Sequence, residues 1–310
     1  MSRRHYTIAC LSGDGVGPEL MAEASQVLAS VSRLHHFTLE EQHATVAAEA
    51  LTRSGHALPP ATRRAALGAD AVLVACPRDP SIAFVKAELD LAATVRRAWF
   101  DDRGDVALVN PRSAHDADWT IQRAVALALS RGAKLVSVST DERWRAQVDK
   151  AAAKHAGLLV EHISLATTQI LLRESPRHLD VIVAERSAAD VMADGAVGVL
   201  VAGTARLARG GPSMFSPTHR VALAIAGQGV ANPAGMLLAT AMLLSDGLGE
   251  HAAARTLAGA LAQTLRQGVR TADMVSAGVA ATTKEFTEVV LSELPRARKD
   301  TEFITREALA

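Results

Sequence analysis

The stretch SGDGVGPEL, residues 12–20, is the densest glycine cluster in this chain and decides its fold. It directly follows an apolar run, residues 6–11, that predicts a first β-strand. It opens residues 18–31, where apolar side chains recur at helical spacing. Pro18 is tolerated in the first helical turn because its missing N–H would have no acceptor within the helix. The chain is therefore expected to begin with a strand, a glycine turn and a helix.

The spacing of these glycines excludes two common nucleotide motifs. A Rossmann fingerprint requires G-x-G-x-x-G, and the position five residues after Gly13 is Pro18. A Walker loop requires a lysine followed by Ser or Thr, and neither follows the glycines. One interpretation from local chemistry alone is a strand-to-helix turn with glycines at positive φ, whose helix N-terminus is stabilised by Glu19.

Strand and helix alternate along the rest of the chain. Further strands are predicted at residues 69–76, 106–110, 134–140, 158–164 and 179–185. Helices are predicted at residues 46–54, 61–67, 83–98, 120–130, 143–156, 166–173, 188–201, 233–248, 251–267 and 283–294, with glycine-rich loops at 203–216 and 226–232. This alternation predicts an α/β fold with mainly parallel sheets and flanking helices. The helix at 188–201 is apolar enough to be buried on most sides, as at a subunit interface.

Composition narrows the classes of function. The 310 residues carry 33 Lys+Arg and 33 Asp+Glu, so no net charge attracts nucleic acid. No segment reaches the roughly 18 uninterrupted apolar residues of a membrane span, and the N-terminus does not resemble a signal peptide. The two cysteines, Cys10 and Cys76, lie in predicted buried strands, where free core thiols are expected. A cytoplasmic protein without disulfides fits these features best.

Several stretches carry a family resemblance, in the same order along the whole chain. Residues 13–19, GDGVGPE, and residues 225–233, IAGQGVANP, are the most specific, and residues 178–196 and 215–244 also agree. Together they resemble the isocitrate/isopropylmalate dehydrogenase family, the β-decarboxylating 2-hydroxy-acid dehydrogenases.

The resemblance implies a two-lobed fold outside the Rossmann class. The first lobe, on the cofactor side, would comprise residues 1–100 and 205–310. The second lobe, residues 101–204, would carry the dimerisation and metal-site helix. In this family the active site lies in the cleft, and two subunits pair through helices of the second lobe.

The resemblance implies a metal site at Asp190 and Asp194, which match the two family aspartates on one helix. Their i,i+4 spacing puts both carboxylates on one helical face, which suits Mg²⁺ or Mn²⁺. Leu165 stands where relatives supply a third carboxylate from the other subunit, so the site is expected to be incomplete. A pair of ordinary helix-surface aspartates is the alternative.

The substrate positions of the family are partly retained. Arg96 matches one substrate arginine, Lys86 stands at a second and Asn110 at a third. Lysine lacks the bidentate fork that grips a carboxylate, and asparagine lacks the charge. We therefore assign substrate binding to Lys86 and Arg96 only.

The proton-transfer groups of the family are missing. Thr140 stands at the position of the family lysine, and threonine cannot act as a general acid at neutral pH. The segment that carries the family tyrosine is cut down to residues 110–119, and Tyr6 is the only tyrosine in the chain. No residue is therefore assigned a catalytic role.

The cofactor loop of the family is retained in part, so NAD or NADP remains possible. Its matching residues are His219, Ile225, Ala226, Gly227 and Asn232. Ala224 replaces an acidic residue and Arg220 is added, which disfavours the usual adenosine contact and favours a phosphate. His219 and Asn232 are alternatively side chains that shape the loop.

Three hypotheses follow. The first is a catalytically degenerate family member that acts as a regulatory or composite-site partner, in a homodimer or in a heteromer with a full-length relative. The second is an active NAD(P)-dependent oxidoreductase on a divergent 2-hydroxy acid, using groups such as His115, Asp116 or Asp118. The third is a small-molecule binding protein that reuses the cleft. Joint loss of the lysine, the tyrosine and the third aspartate favours the first, because each such group contributes about two or more orders of magnitude in rate.

Overall fold

The computed structural model describes residues 4–77, 81–100, 104–195, 198–219, 221–275 and 278–307, without the side chains of Glu49 and residues 302–307. The chain divides into two compact units, residues 1–90 with 203–310 and residues 91–202. The sequence places the corresponding boundaries after residues 100 and 204. The strand Leu91–Trp99 accounts for most of this difference, because it belongs to the second unit.

Ten strands and eleven α-helices form within the described ranges. The strands are β1 (His5–Leu11), β2 (Thr38–Ala44), β3 (Ala71–Val74), β4 (Leu91–Trp99), β5 (Asp105–Pro111), β6 (Lys134–Val138), β7 (Leu159–Ile163), β8 (Val181–Ala184), β9 (Val201–Ala208) and β10 (Ser213–Pro217). The helices are α1 (Gly17–Leu34), α2 (Ala47–Ser54), α3 (Pro60–Gly68), α4 (Ser81–Glu88), α5 (Ala117–Leu129), α6 (Glu142–Ala152), α7 (Leu165–Glu174), α8 (Arg186–Gly195), α9 (Ala234–Met242), α10 (His251–Arg266) and α11 (Thr283–Glu307).

The first unit contains strands in the order β2-β1-β3-β10-β9. All neighbours are parallel except β9 and β10. The apolar run of β1 from Ile8 to Leu11 and the whole of β3 are fully buried, as expected for parallel strands covered on both faces. Helix α9 is buried along most of its length and packs against α1, α10 and β10. The core of this unit therefore lies around β1, β3 and α9.

The second unit contains strands in the order β4-β5-β8-β6-β7, and only β4 and β5 are antiparallel. One face of this sheet carries alternate residues such as Leu108, Val138 and Ile182, which pack against α7 and α8. Helices α5 and α6 pack on each other, and α5 covers β5, β6 and β8. Because β5, β8 and β6 are parallel, the segments that follow them leave at one edge, and these segments carry candidate site residues.

The mixed α/β fold with mainly parallel strands and flanking helices is confirmed. None of the helices in the described ranges is both long and apolar enough to cross a membrane.

The predicted helix at residues 83–98 is wrong. The structure has α4, which ends at Glu88, followed by β4 from Leu91. The alanines at 92, 93 and 98 favour a helix locally, but every residue from Ala93 to Trp99 pairs with β5. Sheet pairing has outweighed helix propensity.

Two further predictions in the last third are corrected. The helix expected at residues 188–201 ends at Gly195; residues 196–197 lie outside the described ranges, and Val201 begins β9. The loop expected at 203–216 is the antiparallel pair β9 and β10. Gly203 lies within β9. A Cβ there would come 3.2 Å from the Ala239 nitrogen, so the glycine at this position reflects close packing and not a loop.

Strand β2 has no counterpart in the sequence prediction. Its sequence, TLEEQHA, is mostly polar, and it lies at one end of the strand order, where it pairs with β1 alone. An edge strand with a solvated face carries little of the apolar signal by which strands are recognised.

Candidate functional site

The opening glycine turn packs against the chain itself. Gly15 has φ +64°, and a Cβ on it would come 2.0 Å from the Val221 carbonyl oxygen. A Cβ on Gly17 would come 1.9 Å from the Ser12 carbonyl oxygen. The Val16 amide donates a 3.0 Å hydrogen bond to Val221. The glycines therefore serve a close backbone approach, and this turn is not an open phosphate cradle.

The two candidate substrate cations lie in different units. Lys86, on α4, donates from Nζ to the Pro77 carbonyl oxygen at 3.0 Å, in the segment that follows β3. Arg96 lies on β4 in the second unit. The prediction that these two residues bind a substrate stays a prediction.

Arg96 is bound to two of the predicted site residues. Its Nη1 donates to Asn110 Oδ1 at 2.7 Å, and its Nη2 donates to Asp190 Oδ1 at 2.9 Å. Thr94 is the register partner of Asn110, so strand alternation puts Arg96 and Asn110 on one face of the sheet. Leu108, on the same face, packs against α8, which carries Asp190. The fold therefore brings the arginine expected to bind substrate and the first aspartate expected to bind metal together as an ion pair.

A second arginine, missed in the sequence, also approaches Asp190. Arg186 Nε lies 3.8 Å from Asp190 Oδ2, one helical turn earlier on α8. Its Nη1 donates to the Arg112 carbonyl oxygen at 3.1 Å. The sequence feature that could have identified Arg186 is the i,i+4 spacing of a basic and an acidic residue directly after a buried strand.

The carboxylate of Asp190 is already paired with arginine, and the metal site expected at Asp190 and Asp194 stays a prediction. Both carboxylate oxygens of Asp190 face guanidinium groups, whereas Mg²⁺ and Mn²⁺ require several free oxygen ligands. Asp194 is exposed at the end of α8. Leu165 begins α7 and packs on the apolar cluster of the second unit, so it supplies packing and no ligand.

Thr140, at the position of the family lysine, and Tyr6, the one tyrosine of the sequence, both have structural surroundings unlike those of a proton-transfer group. Thr140 is exposed and precedes Asp141, which caps α6 by accepting from the Arg143 amide at 2.8 Å. The Tyr6 hydroxyl donates to Glu250 Oε1 at 2.9 Å. Burial and this carboxylate raise the pKa of Tyr6, which holds the phenol in its protonated form.

The shortened connector forms the start of α5. Asp116 Oδ2 accepts from the Ser113 amide at 3.0 Å and from the Ser113 hydroxyl at 2.6 Å, which completes a capping box. His115 lies in the same short helical turn, and Asp118 lies in the first turn of α5. The carboxylate of Asp116 is thus the partner of the N-cap residue Ser113 in this short turn.

A groove of about 690 Å³ lies at the carboxyl ends of β5, β6 and β8 in the second unit. Its walls come from the start of α5, from α6 and from α8. Three cationic side chains line it, Arg112, Arg143 and Arg186, beside three acidic ones, Asp141, Glu185 and Asp190. Chain segments that diverge from neighbouring parallel strands commonly form such ligand-binding crevices in α/β proteins. The groove is therefore a candidate site for a small polar molecule.

The candidate cofactor loop is held by its own contacts. Asn232 Oδ1 accepts from the Ala234 amide at 2.9 Å, and its Nδ2 donates to Asp273 Oδ2 at 3.0 Å. Gly227 has φ +73° with open space where a Cβ would lie, and Ile225 is exposed beside it. Dinucleotide binding at these residues stays a prediction. Asn232 already has a loop-shaping role.

The remaining positions of the expected cofactor loop give less support for dinucleotide binding. His219 is half-buried after β10, and Ala226 is half-buried between Ile225 and Gly227. Ala224 supplies no carboxylate for a ribose. Arg220, for which a phosphate contact is expected, lies outside the described residues.

Known proteins are similar to this chain over most of its length. The model of the isocitrate/isopropylmalate dehydrogenase family matches residues 7–96 and 105–290. The chain is 28% identical to a 3-isopropylmalate dehydrogenase of Streptococcus mutans, over 93% of this chain and 99% of that protein. It is 29% identical to the 3-isopropylmalate dehydrogenase of Lactococcus lactis, over 92% of this chain and 98% of that protein.

Solved structures agree in fold. A β-decarboxylating dehydrogenase of Thermococcus kodakarensis superposes with a TM-score of 0.80 at 24% identity, over 94% of this chain and 96% of that one. An isocitrate dehydrogenase of Methylococcus capsulatus superposes with a TM-score of 0.78 at 18% identity, over 93% of this chain and 99% of that one.

Proposed function

Since this chain belongs to the isocitrate/isopropylmalate dehydrogenase family, we propose that it keeps the family fold without the family's metal-dependent oxidation and acts as a regulatory or composite-site partner. The observation that carries the proposal is the ion pair between Arg96 and Asp190, 2.9 Å long. It joins the residue expected to bind a substrate carboxylate to the residue expected to bind the metal.

This ion pair opposes both binding events of the family reaction. A substrate carboxylate would have to displace Asp190 from Arg96, and a metal would have to displace Arg96 from Asp190. Arg186 adds a second positive charge beside the same carboxylate, which further disfavours a divalent cation. In an enzyme of this family the two groups must instead both be available at once.

The missing proton-transfer groups point the same way. Thr140 and Leu165 stand at the family's lysine and third-aspartate positions, and Tyr6 is held by Glu250. The active-oxidoreductase alternative loses support because the carboxylate of Asp116, one of its candidate groups, is bound to Ser113 in a capping box. NAD or NADP binding at the loop around Gly227 and a cytoplasmic location stay predictions.

A second candidate function, binding of a small anionic molecule, is favoured by the groove at the carboxyl ends of β5, β6 and β8. Three arginines and three carboxylates line this groove, and Trp144 forms an apolar part of its wall, so an anionic group would bind at the arginines and the polar remainder of the molecule at the carboxylates. This function is compatible with the first, because a regulatory partner requires a ligand site and no turnover.

The partner role places an interface on α7 and α8. Each of these helices exposes a large apolar side chain, Ile170 on α7 and Val191 on α8, and the two helices pack side by side. Exposed apolar side chains on adjacent helices favour a contact with another subunit. The partner would be a second copy of this chain or a full-length relative.

Sedimentation velocity tests the interface. We expect the wild-type chain to sediment as a dimer, or as a complex with a full-length relative when the two are mixed. Val191→Asp should dissociate it, because an unpaired charge would be buried in an apolar contact. Leu129→Asp on α5 is the matched control, since Leu129 is 38% exposed and Val191 is 47% exposed. A wild-type chain that is monomeric both alone and in the mixture would contradict the partner role.

A further inference from the structure

A thiol, a carboxylate and an imidazole converge on the outer strands of the first unit. Cys10 lies on β1, and Glu41 and His43 lie on β2. Cys10 is the register partner of His43, and Ile8 is the partner of Glu41, so the period-two alternation of strands puts all three side chains on one face. Their Sγ, carboxylate oxygen and ring nitrogen atoms all lie within 4.8 Å of one another.

We propose that Cys10, Glu41 and His43 bind a zinc ion. Cys10 Sγ lies 3.8 Å from Glu41 Oε2, and His43 Nε2 lies 3.3 Å from the same oxygen. Tetrahedral zinc, with bonds of about 2.3 Å to sulfur and about 2.0 Å to oxygen or nitrogen, separates its ligand atoms by about 3.3–3.6 Å. Two of the three separations therefore lie within a few tenths of an ångström of the tetrahedral values, and the third, between Cys10 Sγ and His43, is at most 4.8 Å.

The donor set selects zinc over the hard cations of the family reaction. A thiolate and an imidazole favour zinc, whereas Mg²⁺ and Mn²⁺ favour all-oxygen sites. Binding converts the Cys10 thiol to a thiolate and releases one proton. The thiolate and the Glu41 carboxylate then balance the two positive charges of the ion, with His43 neutral.

The surroundings hold the donors in place and leave room for a fourth ligand. Ser25 on α1 donates to Glu41 Oε2 at 2.5 Å, which orients the carboxylate as outer-shell partners do in metal sites. Cys10 is 1% exposed, whereas the His43 side chain is 54% exposed. Water can complete the tetrahedron from the His43 side. A bound ion would join the edge strand β2 to β1.

Titration of the untagged chain with ZnCl₂ against a chromogenic chelator tests the site. We expect one zinc ion per chain, with release of one proton. Cys10→Ser and His43→Ala should each weaken binding at least about tenfold, because loss of an outer-shell partner alone costs about 10–100-fold and these residues are direct ligands. Co²⁺ in place of zinc should give a thiolate-to-cobalt absorption that Cys10→Ser abolishes.

Two variants serve as controls. His5→Ala removes another half-exposed His–Glu pair on β1 and β2, in which His5 lies 3.8 Å from Glu40 without a thiol nearby. Cys76→Ser removes the other buried cysteine. Both should bind zinc as the wild type does. His43 is half-exposed, so its replacement keeps the test decisive even where Cys10→Ser fails to fold. Absence of zinc binding, or binding that survives His43→Ala, would overturn the proposal.

Discussion

With Mg²⁺ and 3-isopropylmalate, isocitrate, tartrate or malate, the purified chain is expected to reduce NAD⁺ or NADP⁺ at least about 1000-fold more slowly than a 3-isopropylmalate dehydrogenase relative acting on its own substrate. Thr140 cannot donate the proton that a lysine donates, and Leu165 contributes no carboxylate. Asp190 is paired with Arg96. Each deficit alone would slow the reaction strongly.

Nicotinamide absorbance in parallel assays measures this difference. Thr140→Lys combined with Leu165→Asp is an informative variant, because it restores two family residues and leaves the ion pair in place. It should remain slow, since Asp190 still faces Arg96 and the chain still lacks the tyrosine. Robust turnover by the wild-type chain that disappears in Arg96→Met would contradict the degenerate function and support the active oxidoreductase.

Gly15→Ala should lower the free energy of unfolding of the first unit by about 3 kcal/mol or more. The new Cβ would lie 2.0 Å from the Val221 carbonyl oxygen, and the residue would be held at φ +64°. Relief would require the opening turn and the segment around Val221 to separate, with loss of the hydrogen bond from Val16 to Val221. Urea unfolding followed by circular dichroism gives the stability change.

Gly55→Ala is the matched control for this substitution. Gly55 has φ +73°, but a Cβ on it would meet no atom within 4 Å. Its cost should therefore be only the backbone strain of about 1–2 kcal/mol. Equal losses in the two variants would mean that the close approach of Val221 contributes nothing, which would contradict the structural role of the opening turn.

The fold could be predicted in large part because its signals are local. The opening turn, the buried strand β3 and the alternation of strands and helices in the second unit follow from glycine spacing and apolar runs. The wrong predictions lie where a long-range contact determines the secondary structure. β4 is a strand because β5 pairs with it, and Gly203 is needed because α9 approaches β9. Neither contact is visible in a single sequence.

The candidate site was harder to predict than the fold. Motif matching identified Arg96 and Asp190, but it could not reveal that they bind each other, because they are 94 residues apart. Asn110 looked like a lost arginine, and the structure gives it the role of acceptor for Arg96. Glu41 and His43 were missed because they lie on a polar edge strand. Their E-x-H alternation becomes a signal only once β1 is known to lie beside it.

In the proposed function, Asp190 is bound by arginine and holds no catalytic metal. Titration with Mn²⁺, followed by the electron paramagnetic resonance signal of the free ion, tests this proposal. We predict no saturable binding at sub-millimolar Mn²⁺, with or without 3-isopropylmalate, and no difference between the wild type and Asp190→Asn. One Mn²⁺ bound per chain at micromolar concentration, and lost in Asp190→Asn, would contradict the claim.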